Sequence, residues 1–105
     1  MSQTSIRHLL VTMKKLRIVE DVLKCKWTMS IVDQLGNGTY QPGHLQRSIH
    51  GISKKVMYER LKKLKRFNLV SHHQVSAKPL KVYYRLTPMG RRIHRIIRAI
   101  KALDC

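Results

Sequence analysis

The sequence predicts a mainly α-helical domain with one small β-hairpin, an α+β fold, and three observations support this class. Apolar residues recur at helical spacing in several stretches, two stretches rich in Val and Tyr flank a turn at Pro79, and the glycines and prolines fall singly or in short clusters. Because 105 residues have room for one modest core, we expect a single domain over 1–105.

The first 35 residues are expected to be helical. Two apolar stripes lie at different azimuths, one over residues 6–13 and one over 16–23. We therefore expect two short helices or one bent helix, with a boundary near residues 14–15. The apolar residues between 26 and 35 share one face of a further helix, which Gly36 and its neighbours end.

Two more helices are predicted in the centre of the chain. After a short extended piece at 39–41, residues 44–49 are long enough for one or two helical turns, and Gly51 stops them. Ser53 stands where an N-cap is expected, ahead of an apolar repeat that ends near Phe67. The repeat at i, i+4 and i+7 is expected to face the core and consists of Met57, Leu61 and Leu64.

A hairpin and a terminal helix are predicted next. Residues 69–76 and 81–87 have the composition of two antiparallel strands around the Pro79 turn. Thr87 and Pro88 supply an N-cap and a first helical residue for an amphipathic helix.

This order of elements is that of a winged helix-turn-helix. In this prediction residues 44–67 form the helix-turn-helix and 69–87 form the wing, while 1–24 and 88–105 are dimerisation helices.

The charge balance indicates the partner. The chain has 22 Lys and Arg against 5 Asp and Glu, a net charge of +17, which exceeds what solubility requires. Between Lys54 and Lys101 there are fifteen Lys and Arg and one acidic residue, Glu59. Positive charges at this density repel one another and favour a polyanionic ligand, so we expect double-stranded DNA as the partner. We expect no cofactor.

The predicted helix after Gly51 has a basic outer face that fits a major groove. Its first turns are expected to approach base edges and its last residues the phosphates. The Glu59 carboxylate is suited to accept a hydrogen bond from a cytosine amino group or to form an ion pair with Lys55 or Lys62. Alternatively, the whole face is exposed to solvent and its charges pair with one another along the helix. The candidate base contacts are Lys54, Lys55, Tyr58, Glu59 and Lys62, with Lys65 and Arg66 as backbone contacts.

The predicted wing adds a second set of contacts. Its tip lies around Ser76, Ala77 and Lys78, and Lys81 and Arg85 follow on the returning strand. These cations are expected to contact a phosphate or the minor groove, although an ordinary basic turn has the same composition.

Several pieces of the sequence occur together in one known family. They are Lys26-Trp27, Leu45, Gly51-Ile52-Ser53 followed by Lys55, Leu61 and Leu64, then Leu69-Val70, Pro79, the string from Val82 to Thr87, and Gly90. In these residues the chain resembles the HxlR family of winged helix-turn-helix transcriptional regulators, and the resemblance extends from about Lys15 to Leu103. The resemblance implies a dimeric DNA-binding repressor or activator whose DNA side comprises Ser53, Lys54, Lys55, Tyr58, Arg60 and Lys62. Asn68 stands where the family prefers a helix-ending Gly, which Asn can replace in the left-handed conformation.

The resemblance also makes Cys25 a candidate redox sensor, since some members sense oxidants or electrophiles through a cysteine near the dimer region. Lys24 and Lys26 flank it, and a nearby helix N-terminus would favour the thiolate. The sensing cysteine of the family stands about ten positions earlier, and the alternative for Cys25 is a small buried hydrophobe. Cys105 is expected to be free and incidental.

The ends of the chain are expected to form a homodimer. The apolar stripe of the predicted terminal helix is wider than a small domain needs for its own core, and it would be an aggregation-prone hydrophobic patch if exposed. Packing around a two-fold axis would present two recognition helices to a palindromic operator, whereas packing on its own core is the alternative. The expected interface residues are Ile6, Leu9, Leu10, Met13, Met89, Ile93, Ile96, Ile97, Ile100 and Leu103.

Other classes of function are weakly supported. The acidic residues show no paired-carboxylate arrangement, no nucleophile motif or phosphate loop occurs, and His44 and His50 are badly spaced for a metal, so we expect no enzyme and no metal site. Without an apolar run of 18 residues or a secretory pattern, a cytoplasmic location and no membrane partner are expected. The serious alternative is a non-specific architectural DNA- or RNA-binding protein, since a charge of +17 gives affinity without sequence choice.

Overall fold

The computed structural model describes residues 6–38 and 40–104, without the side chains of Ile6, Leu80 and Asp104. The predicted class is confirmed: five helices and one antiparallel hairpin. They are α1 (Ile6–Lys24), α2 (Lys26–Leu35), α3 (Pro42–Ser48), α4 (Lys54–Arg66), β1 (Val70–Ala77), β2 (Leu80–Leu86) and α5 (Pro88–Lys101), with a 3-10 turn at Ala102–Asp104. None of the described helices is long and apolar enough to cross a membrane.

The central helix of the fold is α2, which packs against α1, α3, α4, α5 and β2. Its Ile31 and Val32 are fully buried because every side of this short helix except its ends meets another element. Leu45 of α3 and the predicted repeat of α4 close the same core, as expected from their spacing. This packing holds α4 with its basic side outward.

Two predicted N-caps are confirmed. The Ser53 hydroxyl accepts a hydrogen bond from the Val56 N–H at 3.1 Å and starts α4. The Thr87 hydroxyl accepts one from the Gly90 N–H at 3.0 Å and donates one to the Asn68 carbonyl at 2.6 Å, so it joins the start of α5 to the end of α4. Asn68 itself is left-handed with φ of 61°, as predicted for this helix end.

The hairpin pairs His72 with Tyr84 and has an irregularity between Gln74 and Ser76. Tyr40 forms an isolated antiparallel bridge with Tyr84, which confirms the extended piece before α3; Thr39 lies outside the described residues. The base of the hairpin is therefore fixed to the helical core on one side, while its tip extends away from it.

Of the two alternatives predicted for the first 24 residues, that of two short helices is wrong, because α1 is one uninterrupted helix of 19 residues. The two apolar stripes have different partners instead. Val22 is buried and Ile18, Val19 and Leu23 pack against the core, whereas Leu9, Leu10 and Met13 of the earlier stripe are exposed. A change of azimuth along a helix can thus mark a change of neighbour as well as a break.

The prediction for α5 needs a second correction. Ile93 and Ile97 are 4% and 1% exposed and belong to the core of this chain, and Met89 packs against it, so Ile93 and Ile97 are not available to a partner. Ile96, Ile100 and Leu103 lie on an adjacent flank and stay exposed. The stripe therefore combines a core face with an outward apolar flank.

An acidic residue of α2 holds α5 in place. The Lys101 ammonium donates to Asp33 Oδ2 at 2.7 Å, and the His94 ring lies 3.2 Å from Asp33 Oδ1 and packs on Gly36, where a Cβ would overlap it. Partial burial by itself would raise the pKa of the Asp33 carboxyl, but hydrogen bonding and charge from Lys101 and His94 outweigh it and hold that pKa below its ordinary value.

Asp33→Asn is expected to lower the free energy of unfolding by about 1 kcal/mol at pH 7, a modest effect because the ion pair is partly solvated. Since the folded-state pKa is depressed, the contribution of the carboxylate is present above its unfolded pKa of about 3.9 and is lost as the pH falls through the lower folded value. Urea unfolding at pH 7 and pH 3 checks this. Glu59→Gln, an exposed carboxylate without a described ion pair, is the control, and an equal loss in both variants would contradict the prediction.

Candidate nucleic-acid interface

The outer face of α4 is basic and exposed. Lys55, Glu59, Lys62 and Arg66 lie opposite the buried Met57, Leu61 and Leu64, and all four are exposed. Tyr58, 39% exposed, flanks this face, and Lys54, the first residue of α4, is exposed but lies nearer the core side of the helix. Ser53 is exposed as well, with its hydroxyl engaged at the helix N-terminus. The structure thus brings seven of the predicted DNA contacts onto one helix and its cap.

Two cations of α4 lie off this face. Arg60 is half-buried beside the Cys25 thiol, and its Nε is buried without a hydrogen-bond partner among the described residues. Lys63 is 3.9 Å from Asp21 of α1. The structure therefore separates Arg60 from the other residues that the resemblance assigns to the DNA side, because position 60 is turned about 60° from the core face toward α2.

The wing cations divide between two places. Lys78 and Lys81 are exposed at the end of the hairpin, as predicted. Arg85 pairs with Ser71 near the base of the hairpin, about 13 Å along the strand from Lys81, and lines a notch with Arg91 of α5. Arg85 thus lies on the returning strand, as predicted, but far enough from Lys78 and Lys81 to belong to a different surface.

The corner between α4 and the hairpin is a cleft of about 260 Å³ with a mainly apolar lining, formed by Tyr58, Leu61, Lys62, Lys65, His72 and Tyr84. Lys65 Nζ lies 3.4 Å from His72 Nε2, and the His72 and Tyr84 rings are 5.7 Å apart. Burial first, and then the nearby Tyr58, raise the pKa of the Tyr84 hydroxyl, so it stays protonated at neutral pH. This corner fixes the wing relative to α4.

Two apolar surfaces have no partner within the part of the chain that the structure describes. On α1, Leu9, Leu10, Met13 and Leu16 are 52–62% exposed, although Ile6 has no described side chain. On α5 the exposed flank consists of Ile96, Ile100 and Leu103. A half-helix with this much exposed apolar surface is unfavourable in water, so both surfaces need a cover.

Cys25 separates α1 from α2 and is the N-cap residue of α2. The thiol is a free cysteine of intermediate exposure. Partial burial by itself would raise its pKa, but the hydrogen-bonding groups of Thr28, the charge of Arg60 and the Trp27 backbone outweigh burial and place the pKa of Cys25 below its ordinary value. Cys105 lies outside the described residues.

Sequence reasoning missed the Asp33 cluster and the notch that Arg85 and Arg91 line together. The partners of Asp33 are 61 and 68 residues away along the chain, so no local pattern indicates them. Within the described residues no group of three or more His, Cys, Asp or Glu could hold a metal ion.

Comparison with known proteins gives consistent matches. A family model described as HxlR-like helix-turn-helix matches residues 22–104. The chain is 37% identical over 73 residues to the uncharacterized HTH-type transcriptional regulator YdzF of Bacillus subtilis, covering 69% of this chain and 67% of that protein.

Two solved structures extend the comparison. The fold is similar to that of a transcriptional regulator assigned to the MarR family from Enterococcus faecalis V583, with a TM-score of 0.79, 24% identity and coverage of 99% of this chain and 89% of that one. It is also similar to the reduced form of the transcriptional regulator YodB from B. subtilis, with a TM-score of 0.76, 27% identity and coverage of 84% and 86%.

Proposed function

The chain belongs to the HxlR-like helix-turn-helix family and is a sequence-specific DNA-binding transcriptional regulator, and we propose that it acts as a homodimer on a palindromic operator. In this proposal the chain is a binding protein and not an enzyme. Because its ligand is DNA, we also propose a cytoplasmic location. The observation that carries the proposal is the outer face of α4, where exposed cations surround one carboxylate on a helix whose other side is fully buried.

The division of labour within the interface follows from geometry. Lys54, Lys55, Tyr58, Glu59 and Lys62 lie on the first two turns or the middle of α4, so they approach base edges when the helix enters a major groove. Arg66 at the end of α4, and Lys78 and Lys81 at the tip of the wing, contact phosphates or the minor groove. Ser53 caps α4 and brings the helix N-terminus toward a phosphate.

The homodimer is supported by the exposed apolar surfaces of α1 and α5. Their covering by a second copy would bury Leu9, Leu10, Met13, Ile96 and Ile100 and relate the two α4 helices by a two-fold axis. Half-sites about one helical turn, or a small multiple, apart follow from that symmetry.

Binding-site selection followed by anisotropy titration tests the proposal. The selected duplex is expected to bind at least ~10³-fold more tightly than random duplex at physiological salt, because base contacts add to the phosphate contacts that every duplex offers. A ratio near one would contradict a regulator and leave a non-specific architectural DNA- or RNA-binding protein, the second candidate, which the charge of +17 favours.

The same titrations separate α4 from the wing. Lys55→Ala or Lys62→Ala is expected to change base preference, whereas Lys78→Ala is expected to weaken all duplexes alike and to flatten the salt dependence by about one unit. Identical behaviour of Lys55→Ala and Lys78→Ala would show that the roles of α4 and the wing are assigned wrongly.

We also propose Cys25 as the reactive thiol of this regulator, on the basis of its partial exposure and lowered pKa at the start of α2. In a Cys105→Ser background, the rate of alkylation by iodoacetamide is expected to rise with pH through a midpoint below the ordinary thiol value of about 8.5, because the thiolate is the nucleophile. Arg60→Gln is expected to move that midpoint upward.

Alkylation is further expected to weaken operator binding in this background and to leave a Cys25→Ser variant unaffected. A midpoint at or above the ordinary value, or alkylated protein that binds the operator as before, would remove Cys25 from regulation and leave it as a small half-buried residue.

A further inference from the structure

A second basic surface lies away from α4. It consists of Arg85 at the base of the hairpin and Arg91, Arg95 and Arg98 on α5, and we call it the arginine ridge. All four side chains are exposed. We propose that the arginine ridge binds the phosphate backbone of a second duplex DNA segment while α4 holds the first.

The spacing of the ridge makes it one continuous surface. Arg91, Arg95 and Arg98 stand at i, i+4 and i+7, so they share one face of α5 and extend about 10 Å along it. Arg85 adds a fourth guanidinium, since Arg85 and Arg91 together line a notch of about 160 Å³ beside Gly36 and Gly38. A duplex carries one negative charge per about 1.7 Å of its axis, so a row of this length meets several phosphates.

Within the described part of the chain no ridge guanidinium group forms an ion pair, although Arg98 lines one cleft with Asp33 and Lys101. Three of the described carboxylates form ion pairs elsewhere, Glu20 with Lys24, Asp21 with Lys63, and Asp33 with His94 and Lys101, and the fourth, Glu59, lies on the outer face of α4. No ion pair or hydrogen bond of the described residues involves the four ridge guanidinium groups. Four uncompensated guanidinium groups in one row repel each other and are stabilised by an anion.

The position of the ridge points to a second segment of DNA. The buried faces of α4 and α5 both pack on α2, and the two helices make no extensive contact with each other, so their outer faces point away from α2 separately. On α5 the ridge also lies roughly opposite the apolar flank of Ile96, Ile100 and Leu103. A homodimer that buries this flank therefore leaves the ridge exposed.

The chemistry of the ridge fits the backbone of a duplex. All four cations are arginines, whose planar guanidinium groups bind phosphate oxygens in pairs. No aromatic residue lies among the ridge positions of α5, so the face lacks the stacking platform that single strands require. We expect sequence-independent binding there, in contrast to α4.

A two-duplex capture experiment tests the proposal. The protein is bound stoichiometrically to an immobilised operator duplex, and capture of a fluorescent random duplex is measured over a salt series. Wild type is expected to capture the random duplex, whereas Arg91→Gln/Arg95→Gln/Arg98→Gln is expected to capture it far more weakly, with a salt dependence lower by about 3, since each lost phosphate contact contributes about 0.9. Operator affinity is expected to stay within about threefold of wild type.

A matched variant controls for net charge. Lys14→Gln/Lys15→Gln/Arg17→Gln removes the same number of positive charges from exposed positions of α1 and is expected to retain capture. Sedimentation of both variants verifies an unchanged oligomeric state.

Four results would overturn the proposal: no capture by wild type, equal loss in both variants, equal capture of a single strand, or a parallel loss of operator affinity, which would place the ridge on the same duplex as α4. The proposal extends the proposed function but can fail separately from it. Ridge-dependent capture without operator preference would refute only the specific regulator, and operator preference without capture would refute only the ridge.

Discussion

Leu9→Glu/Met13→Glu is expected to convert the homodimer into a monomer and to weaken operator binding by about a hundredfold or more. The two side chains are 52% and 53% exposed and stand at i and i+4, so they form one patch on the first half of α1. Burying glutamate there against a partner's apolar surface carries a desolvation cost that the single chain does not incur.

The loss of affinity follows from the loss of linkage between two half-sites. A dimer binds its second half-site intramolecularly, and this effective concentration raises affinity by about 10²–10⁴ over one protomer alone. The fold of each protomer is expected to persist, because neither side chain contacts the core of its own chain. Sedimentation equilibrium and anisotropy titration on full and half operators measure the two effects.

Thr12→Glu/Asn37→Glu provides the matched control. It adds the same negative charge at exposed positions, one on α1 outside the apolar patch and one in the turn after α2. The control is expected to remain dimeric and to lose only the affinity that its charge costs. A Leu9→Glu/Met13→Glu protein that stays dimeric, or a monomer that binds the full operator like wild type, would refute the proposed interface.

The helix-turn-helix and the wing could be predicted from the sequence because local patterns determine them. The repeat of Met57, Leu61 and Leu64 fixes which side of α4 is buried, and the opposite side then follows from helical geometry alone. Ser53 and Thr87 are N-caps for the same local reason. The sequence alone therefore predicts which face of α4 is turned outward.

The partner of each apolar stripe could not be predicted in the same way. An apolar stripe requires burial, but it does not say whether the cover comes from the same chain or from another. Ile93 and Ile97 face their own core and Ile96 and Ile100 do not, although all four belong to one broad stripe. Only the packing of α5 on α2 separates them.

Contacts between polar residues that lie far apart in the sequence could not be predicted either. The Asp33 cluster joins α2 to α5, and Arg85 and Arg91 line one notch because the hairpin base lies beside the start of α5. Counting residues from the Pro79 turn would have placed Arg85 roughly 20 Å from the wing tip. The orientation of Arg60 toward Cys25 depends on how α4 crosses the start of α2, which no spacing in the sequence encodes.

Gly90→Ala is expected to lower the free energy of unfolding by about 3 kcal/mol, the opposite of what helix propensity predicts. Alanine in place of glycine inside a helix is favourable by about 1 kcal/mol. A Cβ at position 90 would, however, overlap the Leu69 carbonyl oxygen and lie 3.0 Å from the Leu69 carbonyl carbon and 3.3 Å from Leu86 Cβ. The steric overlap with the backbone therefore destabilises the fold by more than the higher helix propensity of alanine stabilises it.

The Leu69 carbonyl has no room to move away from such a Cβ, because it accepts the Thr87 N–H at 3.0 Å beside the cap that starts α5. Gly43→Ala is the control, since its Cβ would meet only the flexible Arg47 Nη1 at 3.4 Å within α3, and it is expected to leave stability equal or slightly raised. Urea unfolding at one fixed protein concentration compares the two variants, because dimerisation contributes to the measured stability. If Gly90→Ala were as stable as Gly43→Ala, the close junction between α5 and the start of the hairpin would be wrong, and with it the positions assigned to the apolar flank and the arginine ridge on α5.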